Sequence, residues 1–124
     1  MNWYAAHLIM YVKLKSHKQS DYPIWENIVL VRAESEEEAF AKAENRGRVD
    51  AGDDGGFQWN GNPAQWIFAG VRKLTLCQDA HRRPGDGTEI SYSEMYADSE
   101  QTVRKFVQGQ FVSLRHQDNV GVVV

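Results

Sequence analysis

The sequence predicts an α+β fold in which a four-stranded, mainly antiparallel sheet carries two helices on one face. Three observations predict it: an alternating apolar segment at the start, a strong helix-start signal at Ser35, and an order of segments that reads ββαββα. With 124 residues, 42% of them hydrophobic and 25% charged, the chain can bury a core and is too apolar for global disorder. We expect one domain over residues 1–117 and a C-terminal tail over residues 118–124.

The first predicted strand, residues 3–14, has the clearest pattern. Its even-numbered positions are all apolar, whereas its odd-numbered positions mix apolar and polar side chains. Because successive side chains of a strand point to opposite faces, one face should be buried fully and the other only in part. Trp3, His7 and Tyr11 lie on this second face, which we expect to be open or to pair with a second copy of the chain.

The second predicted strand, residues 24–33, has an apolar middle on both faces, which is typical of a strand inside a sheet. A helix follows it and begins with a capping box. The Ser35 hydroxyl and the Glu38 carboxylate should each accept a hydrogen bond from a free backbone amide. Gly47 suits a left-handed cap, so we expect the helix to end there.

A long glycine-rich connection, residues 47–65, carries Phe57 and Trp59, which should pack back onto the body of the protein or contact a partner. The third strand is predicted over residues 66–77. Gly70 in its interior indicates a β-bulge or a close contact with an aromatic neighbour.

The fourth strand is predicted over residues 88–96, after a polar turn. Asp98 and Gln101 form a second capping arrangement, and apolar residues recur behind them at helical spacing as far as Leu114. Gly109 would end this helix early or lie on its outer side. The apolar C-terminal tail could add an extra edge strand or fray.

The sequence holds no metal or cofactor motif. Its four histidines are scattered, and Cys77 with His81 is a single pair, well short of a zinc site. The acidic turn that starts at Asp50 has Gly52 and Gly61 where a calcium loop needs carboxylates. Phosphate-binding glycine motifs and a nucleophile elbow are also absent from the sequence. We therefore expect no metal and no cofactor, and we name no catalytic residue.

His7 is the most interesting titratable residue of the sequence. It could form an acid–base site on the open face of the sheet together with Glu26 or Glu94. The plainer interpretation, which we prefer, is a half-buried histidine at an interface that is hydrogen-bonded to a neighbour. Cys77 stands between apolar residues and is expected to be buried in a strand rather than reactive.

The charge distribution limits the classes of partner. The net charge is -3. The acidic excess falls in residues 1–62, because the acidic and basic side chains of residues 63–124 are equal in number. Such a charge favours neither nucleic acid nor an anionic membrane surface, and no apolar run is long enough to span a bilayer. A single cysteine and the lack of a visible signal peptide lead us to expect a cytoplasmic protein.

Four blocks of the sequence resemble a known family. They are residues 3–8, with Trp-Tyr-Ala-Ala-His-Leu, residues 33–43, residues 66–71, with Trp-Ile-Phe-Ala-Gly-Val, and residues 86–93. Together they resemble an uncharacterised family of small bacterial proteins, the Domain of Unknown Function 4288 family, over roughly Trp3 to Gln108. The resemblance implies a bacterial, cytosolic, stand-alone domain, and it transfers no activity, cofactor or catalytic residue.

These observations predict a non-catalytic protein-binding module whose partner is another protein, with a second copy of the chain as one candidate. An immunity-type or regulatory protein, with an acidic surface that covers a basic toxin, is one version of it. The alternative is a small-molecule-binding protein or enzyme with a pocket on the open sheet face near His7. The expected binding residues are Trp3, His7, Tyr11, Phe57, Trp59 and Glu94.

Overall fold

A computed structural model describes residues 1–16, 18–52, 55–117 and 121–123, the last three through their backbone alone. In chain order the strands and helices are β1 Asn2–Leu14, β2 Ile24–Ala33, α1 Glu36–Asp50, β3 Gln58–Trp59, β4 Asn62–Leu76, β5 Met95–Tyr96, α2 Glu100–Val107, β6 Arg115–His116 and β7 Gly121–Val123.

The main sheet has the strand order β2-β1-β4-β3, and each neighbouring pair in this order is antiparallel. Strand β7 pairs with β4 in parallel, so of the two possibilities for the C-terminal tail the extra strand is the one present. The α+β class and the four-stranded, mainly antiparallel sheet with two helices are confirmed. Strand β1 lies in the middle of the order, between β2 and β4.

The outermost position of β2 is a finding that its sequence does not predict. The apolar middle of this strand is typical of an interior strand, yet β2 is the end of the sheet, and Ile28 and Leu30 are exposed. β2 joins the sheet as a hairpin with β1, and no strand pairs with its other edge among the residues that the structure describes.

The fourth strand of the main sheet is β3 rather than residues 88–96. Within that range only β5 is a strand, and it pairs with β6 in a separate two-stranded sheet. Residues 88–94, the covering segment, instead cross the face of the main sheet. Side chains of β1 and β4 form hydrogen bonds to this segment, and these bonds take the place of the backbone hydrogen bonds of a strand pair.

The hydrophobic core lies between α1 and the even-numbered face of β1, as the alternation of β1 predicts. Alanines at positions 39 and 43 of α1 are fully buried, which lets the helix approach the sheet closely. The buried core residues between the sheet and α1 are Tyr4, Ala6, Leu8, Val31, Ala33, Ala39, Ala43 and Leu74.

Helix α1 begins with the predicted capping box. The Ser35 hydroxyl accepts a hydrogen bond from the Glu38 amide at 3.2 Å, and the Glu38 carboxylate accepts one from the Glu34 amide at 3.2 Å. Glu38 also pairs with Lys42 at 3.3 Å, one turn along the helix. The hydrogen bond from Glu34, followed by that from Lys42, lowers the pKa of Glu38.

The end of α1 differs from the expectation. Gly47 does not cap the helix, which continues to Asp50, and Gly47 is buried inside it. A Cβ atom at this position would lie 2.3 Å from the ring of Phe68 on β4. The glycine is therefore used for close contact between α1 and the sheet rather than for a left-handed cap.

The interior glycine of β4 marks the bulge that the sequence predicts. The register between β1 and β4 shifts between Ile9 and Met10, where Ile9 pairs with Gly70 and Met10 with Phe68. Gly70 has a φ of 146°, which side-chain-bearing residues rarely adopt.

Helix α2 starts one residue later than the predicted capping pair, with Ser99 as its N-cap and the Thr102 amide as the donor. It ends at Val107, and Gly109 follows with a φ of 78°, so the helix stops well before Leu114. Helix α2 buries none of its residues and contributes nothing to the core, so α1 provides the core layer of the fold.

Neither helix among the described residues has the length and apolar character needed to cross a membrane.

Candidate functional site

A buried polar cluster lies on the sheet face opposite α1. Its centre is His7, whose exposed fraction is only 1%. His7 Nδ1 is 2.7 Å from Glu26 Oε2, and His7 Nε2 is 2.5 Å from Ser91 Oγ. Ser91 Oγ is in turn 3.1 Å from Thr75 Oγ1. A carboxylate, an imidazole and two hydroxyls thus form one chain of hydrogen bonds, which we call the His7 network (Glu26, His7, Ser91 and Thr75).

The pairing of β1 with β2 brings Glu26 to His7. Ile28 lies directly opposite His7, so Glu26, two residues earlier, is a diagonal neighbour on the same face. A diagonal neighbour lies within reach of a long side chain. Of the two carboxylates considered for His7, the structure places Glu26 beside it. Glu94 instead accepts a hydrogen bond from the Tyr96 hydroxyl at 2.8 Å, which raises the pKa of Tyr96.

A second register shift in β4 places two cationic side chains beside the network. Lys73 pairs with His7, and the next residue of β1 pairs with Val71, so Arg72 is the extra residue of a bulge. A bulge re-aims side chains, and here two successive residues reach the same face. Arg72 Nη1 is 3.5 Å from Glu26 Oε2. Lys73, as buried as His7, donates a hydrogen bond to the carbonyl of Tyr92.

The covering segment explains why the odd-numbered face of β1 is buried at His7. The Tyr92 ring centroid lies 5.1 Å from the Lys73 ammonium, a cation–π contact. The Gln78 amide donates to the carbonyl of Glu89 at 3.1 Å, which holds the segment at its start. The face that the sequence leaves as open is therefore covered at this point by the chain itself.

The hydrogen bonds of the network limit where its protons lie. An ionised carboxylate only accepts, so His7 Nδ1 carries a proton toward Glu26. In neutral imidazole Nε2 is then an acceptor, and the Ser91 hydroxyl donates to it. In imidazolium Nε2 donates, and Ser91 directs its own proton to Thr75. The network can therefore pass a proton between ring and hydroxyl while the heavy atoms stay in place.

The aromatic residues of the glycine-rich connection lie on the other face of the sheet. Phe57 stacks on Trp66 with ring centroids 5.4 Å apart, and Trp59 meets Trp25 edge to face at 5.7 Å. Trp25 and Trp66 pair with even-numbered residues of β1, so they belong to the α1 side. Phe57 and Trp59 thus pack back onto the body and are not brought together with His7.

Trp3 and Tyr11 share the face of His7, but each has its own neighbour. The Arg32 guanidinium lies 6.0 Å from the centre of the Trp3 ring, and Tyr11 meets Tyr22 edge to face at 6.0 Å. The six residues expected from the sequence therefore do not form one site, and only His7 belongs to the buried network.

Sequence reasoning did not select Ser91, Thr75 or Lys73. Lys73 and Thr75 alternate with Leu74 and Leu76 at the end of β4, and this pattern places the two polar residues on one face. It could have indicated a polar partner for them. Ser91 joins the network only because the covering segment crosses the sheet, and no local pattern predicts that path.

Within the described ranges, no group of three histidine, cysteine, aspartate or glutamate side chains is arranged to hold a metal ion. Asp53 and Asp54 of the acidic turn considered for calcium, and His17 among the histidines, lie outside the described residues.

The thiol of Cys77 is expected to be unreactive in the folded protein. It is 3% exposed, its sulfur contacts the carbonyl of Ile90 at 3.6 Å, and burial raises its pKa. We expect a disulfide reagent at pH 8 to modify the native protein at least ~100-fold more slowly than the protein unfolded in denaturant. Modification of the native protein as fast as that of the unfolded chain would contradict this burial.

The comparisons with known proteins give a family and no activity. No curated protein and no solved structure matches the chain. The family model described as a domain of unknown function (DUF4288) matches residues 3–93, which run from the start of β1 through Ser91 and stop short of the expected Gln108. All four members of the His7 network lie inside the match, whereas α2 lies outside it. Because the match spans most of the chain, the protein belongs to the DUF4288 family.

Proposed function

We propose that the protein is a protein-binding domain, that its binding surface is the outer edge of β2, and that its partner is a second copy of the chain. The observation that carries the proposal is the edge itself. Strand β2 has ten residues and stands at the end of the sheet with apolar side chains exposed. Long apolar edge strands template pairing with another strand, and proteins use this for recognition.

The backbone of β2 presents a ladder to solvent. The Val12 amide donates to the carbonyl of Pro23, so the odd-numbered residues of β2 bond to β1. The backbone groups of the even-numbered residues, from Ile24 to Arg32, point away from the sheet. The last of these carbonyls, that of Arg32, already accepts a hydrogen bond from Lys42 Nζ at 2.7 Å. Because a carbonyl oxygen has two lone pairs, it can still accept a second hydrogen bond from a partner strand.

The side chains along this edge are apolar and exposed. Ile24, Ile28 and Leu30 are 64%, 48% and 43% exposed, and alternation places all three on the face of His7. Exposed apolar side chains grouped on one strand are typical of an interaction surface.

A second copy complements this edge through a two-fold axis. Antiparallel pairing of β2 with itself is isologous, so every contact away from the two-fold axis occurs twice. With Val29 opposite Val29 of the second copy, Ile28 lies opposite Leu30 of that copy. The same register places Glu26 opposite Arg32, an opposite-charge pair on the same face. Cross-strand pairs of these kinds each contribute roughly 0.2–1 kcal/mol.

Sedimentation of the purified protein over a range of concentrations tests the proposal. We expect a monomer–dimer equilibrium. Ile28→Glu and Leu30→Lys each place a charge opposite an apolar residue at two symmetric positions, so each should weaken the dimer about 30-fold, at about 1 kcal/mol per pair. The double variant Ile28→Glu/Leu30→Lys should recover the dimer, because glutamate then faces lysine twice.

Val49→Glu is the matched control. Val49 is an exposed apolar residue of α1, away from the edge, and its substitution should leave the equilibrium unchanged. A wild-type protein that stays monomeric at every concentration would overturn the proposal that the partner is a second copy. The β2 edge would then be a binding site for an extended segment of another protein. A double variant that dimerises no better than the single ones would overturn the register.

The immunity-type version of the function gains little from the structure. Three of the five acidic residues of α1 pair with a basic residue one turn along the helix: Glu38 with Lys42 at 3.3 Å, Glu44 with Arg48 at 3.6 Å and Asp50 with Arg46 at 3.0 Å. The helix therefore presents a mixed rather than an acidic surface to a basic partner. For the compartment we propose the cytoplasm, which is supported by the single cysteine.

A further inference from the structure

The His7 network has the order of groups that activates a nucleophile. A carboxylate oxygen of Glu26 holds one ring nitrogen of His7, and the other ring nitrogen faces the hydroxyl of Ser91, at 2.7 Å and 2.5 Å. A hydroxyl is a weak nucleophile at neutral pH and is activated when an oriented base takes its proton. Such constellations occur on unrelated folds and are identified by geometry and roles rather than by chain position.

The surroundings of His7 fix the ring in the form that a base requires. Glu26 accepts the proton of Nδ1, so the lone pair of Nε2 points at Ser91 in the neutral ring. The imidazole is shielded from water, which strengthens its interaction with the carboxylate. Glu26 is held in turn by Arg72. Glu26 is thus a positioning residue for His7.

Ser91 has room beside it for a small substrate. It is only partly buried and lines a cavity of about 180 Å³ together with Thr75, Gln78 and Tyr92. One water molecule takes about 30 Å³ in the liquid, so the cavity holds on the order of six waters or one short acyl group. Larger substrates would have to leave most of their atoms outside.

A buried lysine holds the segment that carries the nucleophile. The Lys73 ammonium binds the carbonyl of Tyr92, the residue that follows Ser91. Lys73 is not among the residues that line the cavity, so its part here is to hold the carbonyl of Tyr92 and with it the position of Ser91.

We propose that Ser91 is an activated nucleophile that hydrolyses esters of short acyl groups. The Ser91 oxygen bonds to the acyl carbon while its proton moves to His7 Nε2. The ester C–O bond then breaks, and His7 returns the proton to the leaving alcohol. Water attacks the acyl-serine in the same way and gives the free acid, so the net reaction is ester plus water to acid plus alcohol.

A fluorophosphonate probe tests the nucleophile directly. We expect stoichiometric labelling of the full chain, located at Ser91 by peptide mass spectrometry, and release of nitrophenol from p-nitrophenyl acetate. Ser91→Ala should abolish both. Glu26→Gln should lower kcat and the labelling rate at least about tenfold while KM changes little, because glutamine holds the ring less firmly as a proton acceptor.

Ser93→Ala is the matched control, since Ser93 lies two residues further along the same segment and is exposed. It should label as the wild type does. Absence of label at Ser91 in the wild type, or equal labelling of Glu26→Gln and wild type, overturns the proposal and leaves the network a structural clamp. Because Glu26 also faces Arg32 in the proposed dimer, Leu30→Lys is the second control: it weakens the dimer without touching the network and should label as the wild type does. Loss of the dimer and loss of labelling are then separate results.

Discussion

Replacement of His7 with alanine is expected to lower the free energy of unfolding by about 2–4 kcal/mol. The change removes a fully buried ring and leaves a cavity under the covering segment. It also removes the shared hydrogen-bond partner of Glu26 and Ser91. Urea denaturation followed by circular dichroism measures the effect. His81→Ala is the control, because that side chain is exposed and its loss should change stability by less than about 0.5 kcal/mol.

The same variant should loosen one part of the molecule more than the rest. The covering segment is held by side-chain contacts and not by a strand ladder, so its amides should lose protection from hydrogen exchange before those of β1. The bonds of Lys73 to Tyr92, of Ser91 to Thr75 and of Gln78 to Glu89 remain in this variant. A His7→Ala protein with wild-type stability and unchanged exchange over residues 88–94 would show that the network does not hold this segment.

Gly47→Ala is expected to destabilise the protein by about 1–3 kcal/mol, although alanine is the better helix former by about 1 kcal/mol. The added methyl group would lie 2.3 Å from the Phe68 ring, so the ring or the helix must shift. Asn45→Ala, two residues earlier on the exposed side of α1, is the matched control. It should stabilise by a few tenths of a kcal/mol, because only helix propensity changes there.

A second substitution separates close contact from other causes. In a Phe68→Leu background the smaller side chain leaves space for the methyl group, so Gly47→Ala should cost less there than in the wild type. Such coupling is expected for residues in contact. If Gly47→Ala raised the melting temperature as Asn45→Ala does, the contact between α1 and β4 would be looser than the structure has it.

Local patterns of the sequence predict the parts of the fold that depend on neighbouring residues. The alternation of β1 correctly predicts which face meets α1, and the Ser35–Glu38 capping box marks the start of that helix. Gly70 predicts a bulge that the pairing of β1 with β4 contains. Each of these features depends on side-chain periodicity or backbone freedom within a few residues.

Features that depend on distant residues are not predicted. A glycine at position 47 is typical of a helix end. Only its close approach to Phe68 shows why a glycine stands inside the helix instead. The apolar residues of β2 suggest an interior strand, yet the pairing order puts them at the edge. Ser91 alternates with apolar neighbours as a strand residue would, but its bond to His7 decides its position.

The His7 network also sets an order of events for a newly made chain. Strand β1 leaves the ribosome before β2, and the two strands can pair as soon as β2 has emerged. Ser91 is separated from His7 by 84 positions. The odd-numbered face of β1 is therefore covered at His7 only after those residues have been synthesised. Contacts of such long range slow folding. During synthesis, His7 and Glu26 therefore stay hydrated until nearly the whole DUF4288 segment has emerged.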